Sequence, residues 1–161
     1  MSVVGEKLQE LEYTIRNPRS KIDLQMVSKL AEFAGVPLPR DYVEFLREFP
    51  RGGFFYLARG TVLGNRWVDS FAPEDLYGTD ADGENVLSWQ EQYEYRDPGV
   101  LLIGSDKSGN QICIGINKEN YGKILFWHAD DPGDGLYPLA ENFMAFILKL
   151  KWDGSAAQAQ S

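Results

Sequence analysis

The spacing of apolar positions changes twice along this chain, dividing it into a helical first part, a strand-rich middle and a closing helix. Val4, Leu8, Leu11 and Ile15 recur at helical spacing. Asn17-Pro18 then removes a backbone donor, so a first helix is expected to end near Arg16. Val27, Leu30, Ala31 and Ala34, with Met26 and Phe33 beside them, predict a second helix. Ser20 or Asp23 can cap its start, and Gly35 stands where a left-handed C-terminal cap belongs. Val36-Pro37-Leu38-Pro39 must be largely extended, with Pro39 suited to the first turn of a third helix. The stripe of that helix is Tyr42, Phe45, Leu46 and Phe49, and Pro50 with Gly52-Gly53 ends it. Three helices are therefore expected before the first strand.

From Phe54 the period shortens. Phe54-Phe55-Tyr56-Leu57 and Trp67-Val68 read as strands joined through Gly60 and Gly64. Ala72 to Tyr95 mixes proline, glycine, carboxylates and aromatics and is taken as the variable region, with Val86 to Tyr95 compatible with a helix. Between Val100 and Asp131, VLLIG, QICIGI and ILFWH read as three strands. The turn formers of Ser105 to Asn110 and Asn117 to Gly122 connect them as two antiparallel hairpins. Phe143, Ile147 and Leu150 form a last helical stripe after Pro138, and the segment from Gly154 to Ser161 has nothing to bury. The expected organisation is one domain over residues 1–152 and a mobile tail over 153–161, without internal repeats.

Composition narrows the function. A chain of 161 residues, 43% hydrophobic, can bury a single core without disulfides or metal. Its 16 Lys and Arg against 24 Asp and Glu give a net charge of -8. Such a surface repels nucleic-acid phosphates and suits a basic protein partner, although solubility alone explains the same charge. A single cysteine cannot form an internal disulfide, and neither a leader pattern nor a bilayer-length apolar run is present. The expectation is a cytoplasmic protein with no membrane association.

Candidate chemistry is sparse. Asp80, Asp82, Glu84 and Glu91 match positions 1, 3, 5 and 12 of a calcium-binding loop, with Leu87 at position 8. Asn85 stands where that loop's sharp turn requires glycine, so no metal is expected. Cys113 and His128 share a sheet face if Ile116 pairs with Lys123, and face opposite ways if the register slips by one. One histidine builds neither a Ser-His-Asp set nor a metal cluster, so no catalytic residue and no cofactor is assigned. The candidates for contact with a protein partner are the carboxylates Asp80, Asp82 and Glu84, an acidic lip of Asp130, Asp131 and Asp134, and the aromatic anchors Trp89, Tyr93 and Tyr95. The carboxylates also suit solvated loops and the aromatics a core.

Two blocks resemble the SUKH superfamily, an immunity-protein group that includes the yeast cell-wall assembly regulator of the Smi/Knr type. The first is Leu38-Pro39-Arg40-Asp41-Tyr42-Val43-Glu44-Phe45-Leu46 followed by Gly52-Gly53. The second runs through Leu102-Ile103-Gly104-Ser105-Asp106, Gly109-Asn110, Ile114, Tyr121-Gly122-Lys123-Ile124 and Leu139-Ala140-Glu141-Asn142-Phe143-Met144-Ala145-Phe146-Ile147. The resemblance implies an α+β domain, a mostly antiparallel sheet with helices packed on it, no enzymatic activity and, in bacteria, neutralisation of a cognate toxin, such as a basic nuclease, by occlusion. Two alternatives stay open: an intracellular interaction or regulatory module of the same fold, and a hydrolase using an unrecognised carboxylate or Cys113. The oligomeric state is left open. In physical terms Gly52-Gly53 permits a turn that side chains would obstruct, and Asp106 is placed to hydrogen-bond its own turn backbone.

Overall fold

A computed structural model describes residues 2–16, 21–62, 64, 69–80, 84–93, 97–128 and 135–154. The order is α1 (Val3–Glu10), β1 (Thr14–Ile15), α2 (Leu24–Ala34), α3 (Arg40–Glu48), β2 (Gly52–Phe54), β3 (Ala58–Thr61), β4 (Ser70–Phe71), β5 (Pro73–Tyr77), α4 (Val86–Gln92), β6 (Val100–Asp106), β7 (Gln111–Gly115), β8 (Ile124–Trp127), β9 (Leu136–Ala140), α5 (Phe143–Lys149) and β10 (Lys151–Trp152). Seven strands pair antiparallel in the order β1-β2-β5-β6-β7-β8-β9, and β10-β3-β4 form a smaller sheet. The architecture is a single α+β domain.

Several sequence expectations are met and others are corrected. Helix α2 has Asp23 as its cap, the carboxylate accepting from the Met26 amide, and Gly35 closes it at φ 76°. The three strands of the Val100 to Asp131 stretch are β6, β7 and β8. Asp106 Oδ1 accepts from the amides of Ser108 and Asn110 at 3.0 and 2.8 Å, which locks the β6–β7 turn. Helix α1, however, stops at Glu10 instead of reaching Arg16, because Glu12 takes a left-handed backbone at φ 57°. Ile15 consequently lies on the edge strand β1, so a strand precedes the second helix. Pro39 caps α3 and is not inside its first turn.

Phe54 belongs to β2, but the chain bends at Tyr56 and Leu57, and Gly60 sits inside β3. Packing explains that glycine, since a Cβ there would collide with the Phe71 ring. Helix α4 ends at Gln92, with Tyr93 as its C-cap. The supposedly variable region also contains a central strand: β5 lies between β2 and β6, with Pro73 at its first position, where a missing donor does least harm. The strand expected at Trp67-Val68 and the tail from Ser155 onward lie outside the described residues.

The core has two layers around the sheet. On one face Tyr42 and Phe45 of α3 meet Phe143 of α5 with ring centroids 5.5 and 4.8 Å apart. Phe71 bridges Phe126 of β8 and Phe146 of α5 on the same side. The other face carries α4. Strands β6 and β7 are buried along nearly their whole length, as strands covered on both faces must be. Gly52-Gly53 makes the entry to the sheet possible: Gly52 has φ 66°, and a Cβ on either residue would run into the Leu76 or Thr14 carbonyl oxygen.

Candidate functional site

Strand register places seven residues in one row across the large sheet. Thr14 pairs with Phe54, Phe54 with Asp75, Asp75 with Ser105, Ser105 with Gln111, Gln111 with Trp127 and Trp127 with Leu136. Directly opposed residues of antiparallel strands point to the same face, so all seven lie on the α4 side. Only Gln111 in this row is fully buried; the others are partly or well exposed. The row is thus an uncovered strip of sheet with α4 along its border.

Helix α4 reaches the sheet through stacked rings. Tyr77 lies parallel to Trp89 at 4.7 Å, Trp89 stacks on Tyr93 at 5.7 Å, and Tyr93 meets Trp127 edge-on at 5.9 Å. Tyr77 is buried and donates its hydroxyl to Gln111 Oε1 at 2.8 Å, whereas Trp89, Tyr93 and Trp127 remain partly exposed. Burial pushes the Tyr77 phenol pKa up, against hydrogen bonding with Ser105 and Gln111 that lowers it. The helix itself starts at a capping box, Asn85 and Ser88 each bonding the other's backbone amide at 2.8 to 2.9 Å.

The charged part of the site adjoins these rings. Arg16, at the exit of β1, forks onto Asp75 at 2.8 and 3.0 Å and lies 5.5 Å over the Phe54 ring. Its hydrogen bonding to Asp75 raises the already high pKa of the guanidinium. Arg51 faces Asp80 at 3.5 Å. Both pairs line a cavity of about 330 Å³ that also touches Tyr77, Glu84 and Trp89. A second cavity of about 460 Å³ shares Arg16 and Asp75 and opens toward Tyr56.

The structure thus brings Asp80, Glu84 and Trp89 together at one cavity and places Tyr93 next to them. Asp82, Tyr95, Asp130, Asp131 and Asp134 lie outside the described residues. The sequence reading missed Arg16, Phe54, Asp75 and Trp127; Pro73–Tyr77 carries no apolar-polar alternation that would have marked it as a strand. The calcium-loop spacing is not realised, because Asn85 caps α4 and positions 7 to 12 of the supposed loop are helical. No cluster that could hold a metal ion occurs among the described residues.

Cys113 and His128 are separated by register. Gly115 pairs with Lys123, so Cys113 shares the face of Leu125, while His128 follows Phe126 on the other and lies over its ring at 6.4 Å. Of the two registers open from the sequence, the structure adopts the one shifted by a residue from an Ile116–Lys123 pairing, which puts the two side chains on opposite faces. The two groups do not form a nucleophile and base pair.

A match to the SMI1/KNR4 family (SUKH-1) model covers residues 21–149. The chain belongs to this family. SUKH-1 includes immunity proteins, typically without catalytic activity. No curated protein sequence matches the chain. The SUKH-1 region takes in everything from α2 to α5, including β5, α4 and most of the row described above; α1 and β1, with Arg16, precede it. No helix among the described residues is long and apolar enough to cross a membrane.

Proposed function

We propose that this SUKH-1 protein is a cytoplasmic immunity protein that binds a cognate protein toxin and neutralises it by occlusion. The observation that carries the reading is the open row from Thr14 to Leu136, bordered by the Tyr77–Trp89–Tyr93–Trp127 ladder, in a family that includes immunity proteins. Partly exposed aromatics on a rigid sheet lose little conformational freedom when covered, which is why such residues dominate interface energies. The negative charge of Asp80, Asp82, Glu84, Asp130, Asp131 and Asp134 is proposed to draw in a basic toxin, with Trp89, Tyr93 and Tyr95 as its aromatic anchors. Inhibition by occlusion requires shape and charge only, so no bond-making group is needed.

The test is co-expression with the toxin candidate encoded beside this protein's gene. Growth should be restored, and the two proteins should co-elute as a stoichiometric complex. A wild-type chain that neither rescues growth nor binds the neighbouring product would overturn the immunity reading and leave an interaction module of the same fold.

A further inference from the structure

The two cavities meet at the Arg16–Asp75 pair, whose side chains line both, and together they make a groove divided at that pair. The cations along it are already engaged. Arg16 is forked onto Asp75, Arg51 faces Asp80, and Lys107 donates to the Tyr56 carbonyl while lying 5.3 Å over the Tyr56 ring. Two carboxylates form no ion pair among the described residues, Glu74 in one cavity and Glu84 in the other, the charge of Glu84 acting on Arg16 only from beyond contact distance. Each half of the groove therefore offers a carboxylate beside an aromatic residue, Tyr56 at one end and Trp89 at the other. Tyr56 is 65% exposed and Phe54 37%, so the outer half is open to a macromolecule.

We propose that this groove is a docking surface for a basic segment of a partner protein, which straddles the Arg16–Asp75 pair and sets one cationic side chain against Glu84 and another against Glu74. The net charge of -8 steers such a segment in and repels nucleic acid. Aromatic rings next to both carboxylates favour the long apolar stems of lysine and arginine over a small hydrated cation. The proposal deepens the immunity reading and relies on it for the partner's biological identity, while the recognition chemistry is testable without the toxin.

A capped tetra-arginine peptide, titrated into the isotope-labelled full chain at about 0.1 M ionic strength, is the probe. Amide shifts should concentrate at Phe54, Tyr56, Glu84 and Trp89. The Glu74→Gln/Glu84→Gln double variant should lose affinity about fivefold, the combined effect of two exposed ion pairs. The Glu10→Gln/Glu32→Gln variant, with the same change in net charge, should stay within about twofold. Equal losses in the two variants, shifts centred elsewhere, or spermidine matching the peptide in affinity and in sensitivity to the Glu74/Glu84 change would overturn the proposal. Failure of growth rescue by the wild-type chain would instead count against the immunity reading, and this titration would still decide the groove.

Discussion

Gln90 is 1% exposed, yet its amide hydrogen-bonds only to backbone. Nε2 donates to the Val86 and Leu102 carbonyls at 2.7 and 2.6 Å, and Oε1 accepts from the Leu102 amide at 2.8 Å. Strand β5 stops at Tyr77 while β6 continues back to Val100, so Leu102 lies past the last β5–β6 pair, Leu76 with Gly104. Gln90 takes the place of the missing strand, which both satisfies buried backbone groups and ties α4 to the sheet. Gln90→Leu keeps the volume but leaves a buried amide and carbonyl unpaired, and should destabilise the fold by about 2–4 kcal/mol. Urea unfolding with an unchanged midpoint would refute that role.

Helix α4 has only seven residues, too few to persist without tertiary contacts. Its hold on the sheet is the Gln90 clamp together with the ring stack centred on Trp89. Trp89→Ala removes the middle of that stack and should cost about 3 kcal/mol locally. Hydrogen exchange should show amides of Val86–Gln92 opening about a hundredfold more often, while those of Gln111–Gly115 keep their protection. Equal acceleration in both elements would mean that α4 and the sheet unfold as one unit. The helices whose stripes and caps are local, α2, α3 and α5, were legible in the sequence, as were the β6–β7–β8 hairpins with their turn residues. Strands β1 and β5 were not, because their strand character comes from pairing with β2 and β6 and not from their own alternation. The site was half legible for the same reason: Glu84 and Trp89 stand out as residue types, but only the register of seven strands brings Phe54, Asp75 and Trp127 into one row.

At the scale of the whole molecule, buried phenols set an alkaline limit on stability. Burial is the main cause that raises the pKa of Tyr13, Tyr42 and Tyr77, with the Asp75 charge adding to it at Tyr13 and Tyr77. The Tyr13 and Tyr42 hydroxyls have no hydrogen-bond partner among the described residues. A phenol is neutral when protonated, so a raised native pKa means that the folded chain keeps a proton the unfolded chain gives up. Below the ordinary tyrosine pKa of about 10 both states are protonated and these groups add no pH dependence. Above it the unfolded state is favoured by up to about 1.4 kcal/mol per pH unit for each such phenol. Stability contributed by these groups should be constant to about pH 10 and fall steeply beyond it. Tyr42→Phe should reduce the alkaline slope by about a third while changing neutral-pH stability by about 1 kcal/mol or less, since the lost hydroxyl leaves no described partner unpaired. Tyr13 and Tyr42 lie in the helix-side core and Tyr77 on the face that carries α4, but all three belong to one continuous core, so the loss should appear as one transition by circular dichroism and by indole fluorescence together. Separate midpoints for the two signals would show that the face carrying α4 melts independently of the core, at a lower pH than the rest of the fold.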